Sequence, residues 1–143
     1  MENPFQSIQA IQTLLHNNGI LTIVIGGIAV SVWGEPRLTR DIDMKIHANR
    51  GDTDTPYDVI AIQRGRQVEV QPGLSLRMCT PEDLILYKLI STRQRDYDDV
   101  KGVIRRQDNN LDDAYILDWL RQFEQALDDS TLVNGYLTMR GHR

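Results

Sequence analysis

The chain of 143 residues carries 16 Lys and Arg against 20 Asp and Glu, which gives a formal net charge of -4. This acidic balance argues against charge-driven binding to nucleic acid, which depends on an excess of basic residues. Hydrophobic residues make up 41% and charged residues 25% of the chain, as is typical of one globular domain with a buried core. No apolar run approaches the roughly 20 residues that a membrane helix needs. The start lacks the pattern of a signal peptide, and the single Cys79 fits a reducing compartment. We therefore expect a cytoplasmic protein.

The first part of the chain alternates helical and extended patterns. Apolar residues recur at helical spacing over 4–16, and the polar 17–19 ends that helix. Ile20–Ile25 is β-branched and apolar, as in a buried strand. Gly26-Gly27 ends this strand, and Ile28–Trp33 is a short apolar segment that we expect to be a helix.

The remaining chain predicts a small sheet followed by helices. The strand that contains Asp41-Ile42-Asp43 runs to about Ile46, and a short helix covers Pro56–Gly65. Two strands, 68–70 and 74–78, are followed by three helices at about 81–92, 96–107 and 111–128. Strands that precede helices indicate an α+β class. We expect one domain over residues 1–143, with a core at about 20–80 and a helical part at about 81–128.

Asp41 and Asp43 are the candidate metal ligands. In a strand, residues i and i+2 point to the same face, so the two carboxylates lie side by side with Ile42 buried behind them. Neighbouring carboxylates repel unless a cation lies between them, and Mg²⁺ prefers such oxygen ligands. The alternatives are an exposed edge strand, or a salt bridge to Arg40 and Lys45.

Gly26 and Gly27 supply the other half of such a site. A glycine turn that leads into a helix exposes backbone N–H groups and lets an anion approach closely. Phosphate at the glycines and a metal ion at the aspartates indicate a bound nucleoside triphosphate and phosphoryl or nucleotidyl transfer.

Gly26-Gly27 and the segment 33–43, which reads Trp-Gly-Glu-Pro-Arg-Leu-Thr-Arg-Asp-Ile-Asp, resemble the nucleotidyltransferase motif of the DNA polymerase β superfamily. The closest resemblance is to small prokaryotic nucleotidyltransferases of toxin–antitoxin systems, namely the AbiEii-like group and the minimal nucleotidyltransferases paired with HEPN ribonucleases. Segments 80–89 and 93–100 resemble the same proteins, so the resemblance covers about residues 20 to 105. It implies a polymerase-β-like core, a small mixed sheet flanked by helices, with a helical C-terminal part.

The resemblance also implies a third catalytic carboxylate on a neighbouring strand, which accepts the proton of the attacking hydroxyl. The family's usual apolar-Asp-apolar triplet is missing, and only Glu69 in Val68-Glu69-Val70 has a matching context. The alternative is that a shortened connection after Ile46 deletes the triplet. In that case nucleotide binding survives while catalysis is impaired.

Two pairs of residues are candidates for binding the nucleotide: Thr39 with Arg40, and Lys88 with Arg93. Thr39 orients and Arg40 neutralises a phosphate, or they are a strand-entry threonine and a surface arginine. Lys88 and Arg93 resemble the basic motif that faces the triphosphate in the AbiEii-like group. The alternative for this second pair is a solvated amphipathic helix.

Asp96 and Asp99 open the next helix, where acids interact favourably with the helix dipole, so capping alone explains them. The resemblance matches Asp96 to the last acidic motif of the group, where it holds Arg93 or Lys88 in place.

The resemblance implies an enzyme that binds Mg²⁺ and ATP, or another nucleoside triphosphate. We expect an antitoxin that transfers AMP to a Tyr or Ser hydroxyl of a partner HEPN-type toxin. One alternative is a toxin that adds nucleotides to RNA 3′ ends. Another is a catalytically weak domain that inhibits its partner by stoichiometric binding.

Overall fold

The computed structural model describes residues 3–36, 42–47, 55–90 and 94–141. Within these ranges it has four strands and seven α-helices, so the α+β class is confirmed. In chain order the elements are α1 (Pro4–Asn17), β1 (Leu21–Ile25), α2 (Gly26–Trp33), β2 (Asp43–His47), α3 (Pro56–Arg64), β3 (Arg66–Gln71), β4 (Leu74–Met78), α4 (Pro81–Leu89), α5 (Gln94–Gln107), α6 (Asp113–Leu127) and α7 (Leu132–Arg140). A 3-10 turn, Asp108–Asn110, lies between α5 and α6.

The chain forms two compact units. The sheet unit comprises Met1–Val32 and Leu38–Thr80, and the helical unit comprises Trp33–Arg37 and Pro81–Arg143. In the described ranges, no helix has both the length and the apolar composition that crossing a membrane requires.

The sheet unit contains one mixed sheet with the strand order β2-β1-β4-β3. Strands β1 and β2 are antiparallel and in register from Leu21↔His47 to Ile25↔Asp43. Strand β4 runs parallel to β1, with Val24 opposite Met78, and antiparallel to β3. Helix α1 packs on β4 and β1, and α3 packs on β2 and β1. This order leaves β2 and β3 as the edge strands among the described residues.

Helix α1 is attached to the sheet through Gln12. The Gln12 amide donates to the backbone carbonyl of Arg77 at 2.9 Å and accepts from the Arg77 N–H at 2.9 Å. A side chain thus satisfies backbone groups that a neighbouring strand would otherwise pair. The Arg77 guanidinium in turn donates to the Ile62 carbonyl at the end of α3, at 2.9 Å. Burial lowers the pKa of Arg77.

The helical unit has α4 at its centre, since Leu84, Ile85 and Leu86 are all fully buried. The Tyr115 hydroxyl of α6 donates to Asp83 of α4 at 2.6 Å. Helix α4 therefore packs against α6. This packing explains why Glu82 and Asp83, the acids in the first turn of α4, are buried as well.

Helix α7 is fastened to α6 through Asp113. Arg140 donates to both carboxylate oxygens of Asp113, at 3.0 and 3.1 Å, and the buried Tyr136 hydroxyl donates to the same group. Burial, above all, and the Asp113 carboxylate raise the pKa of Tyr136. The pattern of residues 129–143 is compatible with a short helix but does not establish one, because the stability of α7 depends on these contacts more than on its own sequence.

The short helix at Pro56–Gly65 and the strand 74–78 are confirmed by α3 and β4. One expectation about the metal-binding strand is wrong: Ile42 is 44% exposed and does not lie buried behind the aspartates. Strand β2 begins only at Asp43, at the edge of the sheet. Ile42 therefore precedes the residues of β2 that pair with β1.

Candidate functional site

Gly26 and Asp43 meet at the end of strand β1. The last residue of β1, Ile25, is paired with Asp43, the first residue of β2. Gly26 follows immediately with a φ of +71°, in the left-handed region that side chains disfavour. A Cβ added at Gly26 would overlap Oδ2 of Asp43 and lie 3.0 Å from its Cβ. The backbone at position 26 therefore approaches the carboxylate as closely as only glycine permits.

This contact lies at the start of helix α2. Gly26 and Gly27 are its first two residues, and the first N–H groups of a helix have no partner within the helix. They also carry the partial positive charge of the helix dipole, which favours a bound anion. The predicted change from strand to helix at Gly26-Gly27 is thus present, although the helix begins at Gly26 and not at Ile28.

The carboxylate of Asp43 is open to solvent. The residue is exposed, and within the described ranges no side chain forms an ion pair with it. Lys45, which the alternative interpretation assigned as a partner, lies 3.9 Å from Asp58 of α3. An exposed carboxylate can bind a cation, and the first N–H groups of a helix can bind a phosphate.

Four predicted site residues, Thr39, Arg40, Asp41 and Arg93, lie outside the described residues. In the described part of the chain, no group of three or more His, Cys, Asp or Glu side chains is arranged to hold a metal ion. Asp43 is the member of the predicted metal pair whose position is described, so a site formed with Asp41 stays a prediction.

Glu69 is not brought next to Asp43. It lies on β3, opposite Ser75 of β4, and the strand order places β3 and β2 at opposite edges of the sheet. Three interstrand spacings separate the two strands, which is roughly 14 Å. Two ligands of one Mg²⁺ ion have oxygens within about 4 Å of each other. The strand order therefore does not support Glu69 as the third carboxylate.

Lys88 forms a buried ion-pair cluster with two carboxylates of α5 in the helical unit. Its ammonium lies 2.9 Å from Oδ1 of Asp96 and 3.1 Å from Oδ2 of Asp99. The side chains of Lys88, Asp96 and Asp99 are only 13%, 6% and 9% exposed. The predicted contact between Asp96 and Lys88 is confirmed, and the interpretation of Lys88 as a solvated surface residue is wrong.

Asp99 is the member of this cluster that sequence reasoning underestimated. Asp99 lies three residues after Asp96, which places both carboxylates on one face of a helix. This spacing is the feature of the sequence that could have indicated that the two acids share a partner. The lysine of α4 thus forms ion pairs with two aspartates of α5, and these contacts join the two helices.

Comparisons of this sequence with protein-family models and with curated proteins find no match.

Proposed function

We propose that this chain is a Mg²⁺-dependent nucleotidyltransferase that transfers AMP from ATP to a hydroxyl group of a partner HEPN-type toxin. The observation that carries the proposal is the contact between Gly26 and Asp43 at the end of β1. It joins an anion-binding helix start to an exposed carboxylate. The resemblance of segments 26–43, 80–89 and 93–100 to small nucleotidyltransferases agrees with this arrangement.

In the proposed site, different residues would bind the metal ion and the phosphates. Asp43 and Asp41 would hold Mg²⁺, and the backbone N–H groups at Gly26 and Gly27 would bind phosphate oxygens. A bound Mg²⁺ would neutralise phosphate charge. In the transfer, a bond forms between the acceptor oxygen and the α-phosphorus, and the bond from that phosphorus to the bridging oxygen breaks. Pyrophosphate leaves, and the hydroxyl proton passes to solvent.

We assign Lys88 a positioning role in this proposal. Its ammonium is engaged by Asp96 and Asp99, so it is not a free charge for the triphosphate. The cluster instead holds the start of α5 in place, close in sequence to Arg93. Thr39, Arg40 and Arg93 stay in the proposal as phosphate-binding residues.

A second candidate function is stoichiometric inhibition of the partner without catalysis. The observation that favours it is the position of Glu69, which lies on the opposite edge strand from Asp43. A nucleotidyltransferase fold that lacks the third carboxylate would have no general base for the acceptor hydroxyl. Such a protein would bind nucleotide and partner but would transfer AMP slowly or not at all.

A transfer assay separates the two candidates. The chain is incubated with ATP labelled at the α-phosphate, Mg²⁺ and the protein encoded by the adjacent gene, and label on each protein is measured. The proposal predicts label on the partner, loss of label with Asp43→Asn, and unchanged labelling with Glu69→Gln, the matched acid at the other edge. Copurification and inhibition without label would favour the inhibitor, and label on added tRNA alone would overturn both.

A further inference from the structure

The two edge strands of the sheet differ in the side chains that they expose. Strand β3 exposes polar residues at its outer edge: Arg66, Gln67 and Glu69. Strand β2, with the residue before it, exposes Asp43 and two isoleucines, since Ile42 is 44% and Ile46 is 45% exposed. Apolar side chains on an exposed edge strand favour pairing with another strand, whereas charges on the edge oppose it unless the added strand complements them. The edge of β2 combines both features, so a strand that covers it must match its charges.

In the described part of the chain, no strand pairs with the outer edge of β2. Its backbone N–H and C=O groups on that side point away from β1. An added strand would satisfy them through main-chain hydrogen bonds, which is the basis of recognition by strand addition.

The sequence of β2 is complementary to itself in one antiparallel register. In a symmetric pair of identical strands, opposed residues must lie on the same face, so the sums of their numbers are even. When the pair is centred on Met44, Ile42 of each copy lies opposite Ile46 of the other copy. Likewise, Asp43 of each copy lies opposite Lys45 of the other. Opposite charges and β-branched residues then face each other across the strands, which are favourable cross-strand pairs.

The neighbouring symmetric registers are unfavourable. Centring on Asp43 places the two Asp43 carboxylates opposite each other, and centring on Lys45 does the same with two ammonium groups. Like charges directly opposite each other destabilise a strand pair. Charge therefore selects the register centred on Met44.

We propose that β2 pairs with β2 of a second copy of this chain, in the antiparallel register centred on Met44, to form a continuous eight-stranded sheet. The isoleucines of each copy are covered by those of the other, and each Asp43 faces Lys45 of the second copy. The pairing uses the Asp43 carboxylate that the proposed function assigns to Mg²⁺, so the two compete for one side chain. The pairing is tested without nucleotide or Mg²⁺, and its failure would leave the proposed function standing.

Charge reversal tests both the interface and its register. Sedimentation velocity over a series of protein concentrations is expected to show a wild-type dimer. Asp43→Lys places lysine opposite lysine, and Lys45→Asp places aspartate opposite aspartate, so each variant alone is expected to dissociate at least about tenfold more readily. When the two variants are mixed, each pair between positions 43 and 45 of the two copies contains one lysine and one aspartate, so a heterodimer is expected. Rescue on mixing excludes misfolding as the cause.

Two matched controls separate the edge from its surroundings. Asp58→Asn removes the 3.9 Å ion pair of Lys45 without touching the strand and is expected to remain dimeric. Ile46→Gln is expected to weaken the dimer, whereas Ile60→Gln, which changes an exposed isoleucine of α3, is not. A wild-type monomer at every concentration, single variants that dimerise as well as the wild type, or a mixture that stays monomeric would each overturn the proposal.

Discussion

The sheet unit and the helical unit use carboxylates in opposite ways. Asp43 is exposed, lies against the backbone of Gly26 and forms no ion pair with a described residue. Asp96 and Asp99 are buried, and both contact Lys88. A buried acid must be neutralised within the protein, whereas an exposed acid beside a helix start remains available to an external cation. The comparison separates acids that stabilise the fold from an acid that is open to a ligand.

The largest expected effect is on stability, at Lys88. Lys88→Met leaves two buried carboxylates without their cation, which is expected to lower the free energy of unfolding by about 3 kcal/mol. Urea denaturation followed by circular dichroism measures this loss. Lys101→Met, at an exposed position of α5, is the matched control and is expected to change stability by less than about 0.5 kcal/mol. Equal effects of the two substitutions would show that the cluster does not stabilise the helical unit.

Gly26 and Gly19 form the next comparison, because both have positive φ values, +71° and +76°. A Cβ at Gly19 meets nothing within 4 Å, whereas one at Gly26 overlaps the carboxylate of Asp43. We expect Gly19→Ala to destabilise the chain by about 1 kcal/mol from backbone strain. Gly26→Ala is expected to destabilise it by about 2 kcal/mol, because steric overlap is added to the strain.

The same two variants report on the site when ATP binding in Mg²⁺ is measured beside stability. Gly26→Ala displaces the Asp43 carboxylate and is expected to abolish binding, while Gly19→Ala leaves it unchanged. Equal ATP binding by the two variants would show that the contact between Gly26 and Asp43 does not contribute to a nucleotide site.

Removing one negative charge in each unit sharpens the contrast. Asp96→Asn weakens a buried charged hydrogen bond to Lys88 and is expected to lower the free energy of unfolding by about 1.5 kcal/mol. Asp43→Asn is expected to change it by less than about 0.5 kcal/mol, because the group is exposed and forms no ion pair with a described residue. Chemical denaturation of both variants measures the difference, and a large loss for Asp43→Asn would show that its role is structural.

The smallest expected effect concerns Asp129, a partly exposed acid just before α7. Hydrogen bonds from the hydroxyl and the backbone N–H of Thr131, at 2.6 and 2.7 Å, lower the pKa of Asp129. A carboxyl group whose folded pKa is lowered stabilises the fold above its unfolded pKa of about 3.9 and loses that contribution as pH falls through the folded pKa. The stability difference between wild type and Asp129→Asn is therefore expected near neutral pH and absent at strongly acidic pH. A pH series of urea denaturation curves tests this, and a difference that grows on acidification would contradict it.

Local patterns predicted the elements better than the way those elements are assembled. The β-branched run before Gly26-Gly27 predicted β1 and the start of α2, because strand and turn preferences act over a few residues. Strand order is not a local property, so nothing near Glu69 revealed that β3 lies two strands beyond β1. Ile42 was misjudged for the same reason: an apolar residue is buried only where a second layer covers it.

The helical unit shows the same division. The sequence predicted that Asp96 and Asp99 open a helix, but the burial of Lys88 between them depends on how α5 packs on α4. Helix α7 could not be assigned firmly from its own sequence, because Tyr136 and Arg140 are fixed by Asp113, which is more than 20 residues earlier in the chain.

Calorimetric titration of ATP into the chain in the presence of Mg²⁺ tests the central claim most directly. The account predicts saturable one-to-one binding by the wild type, retained binding by Glu69→Gln, and loss of binding by Asp43→Asn with its stability unchanged. A wild-type titration without measurable heat of binding would contradict a nucleotide site at Gly26 and Asp43. Binding by Asp43→Asn as tight as that of the wild type would contradict it as well.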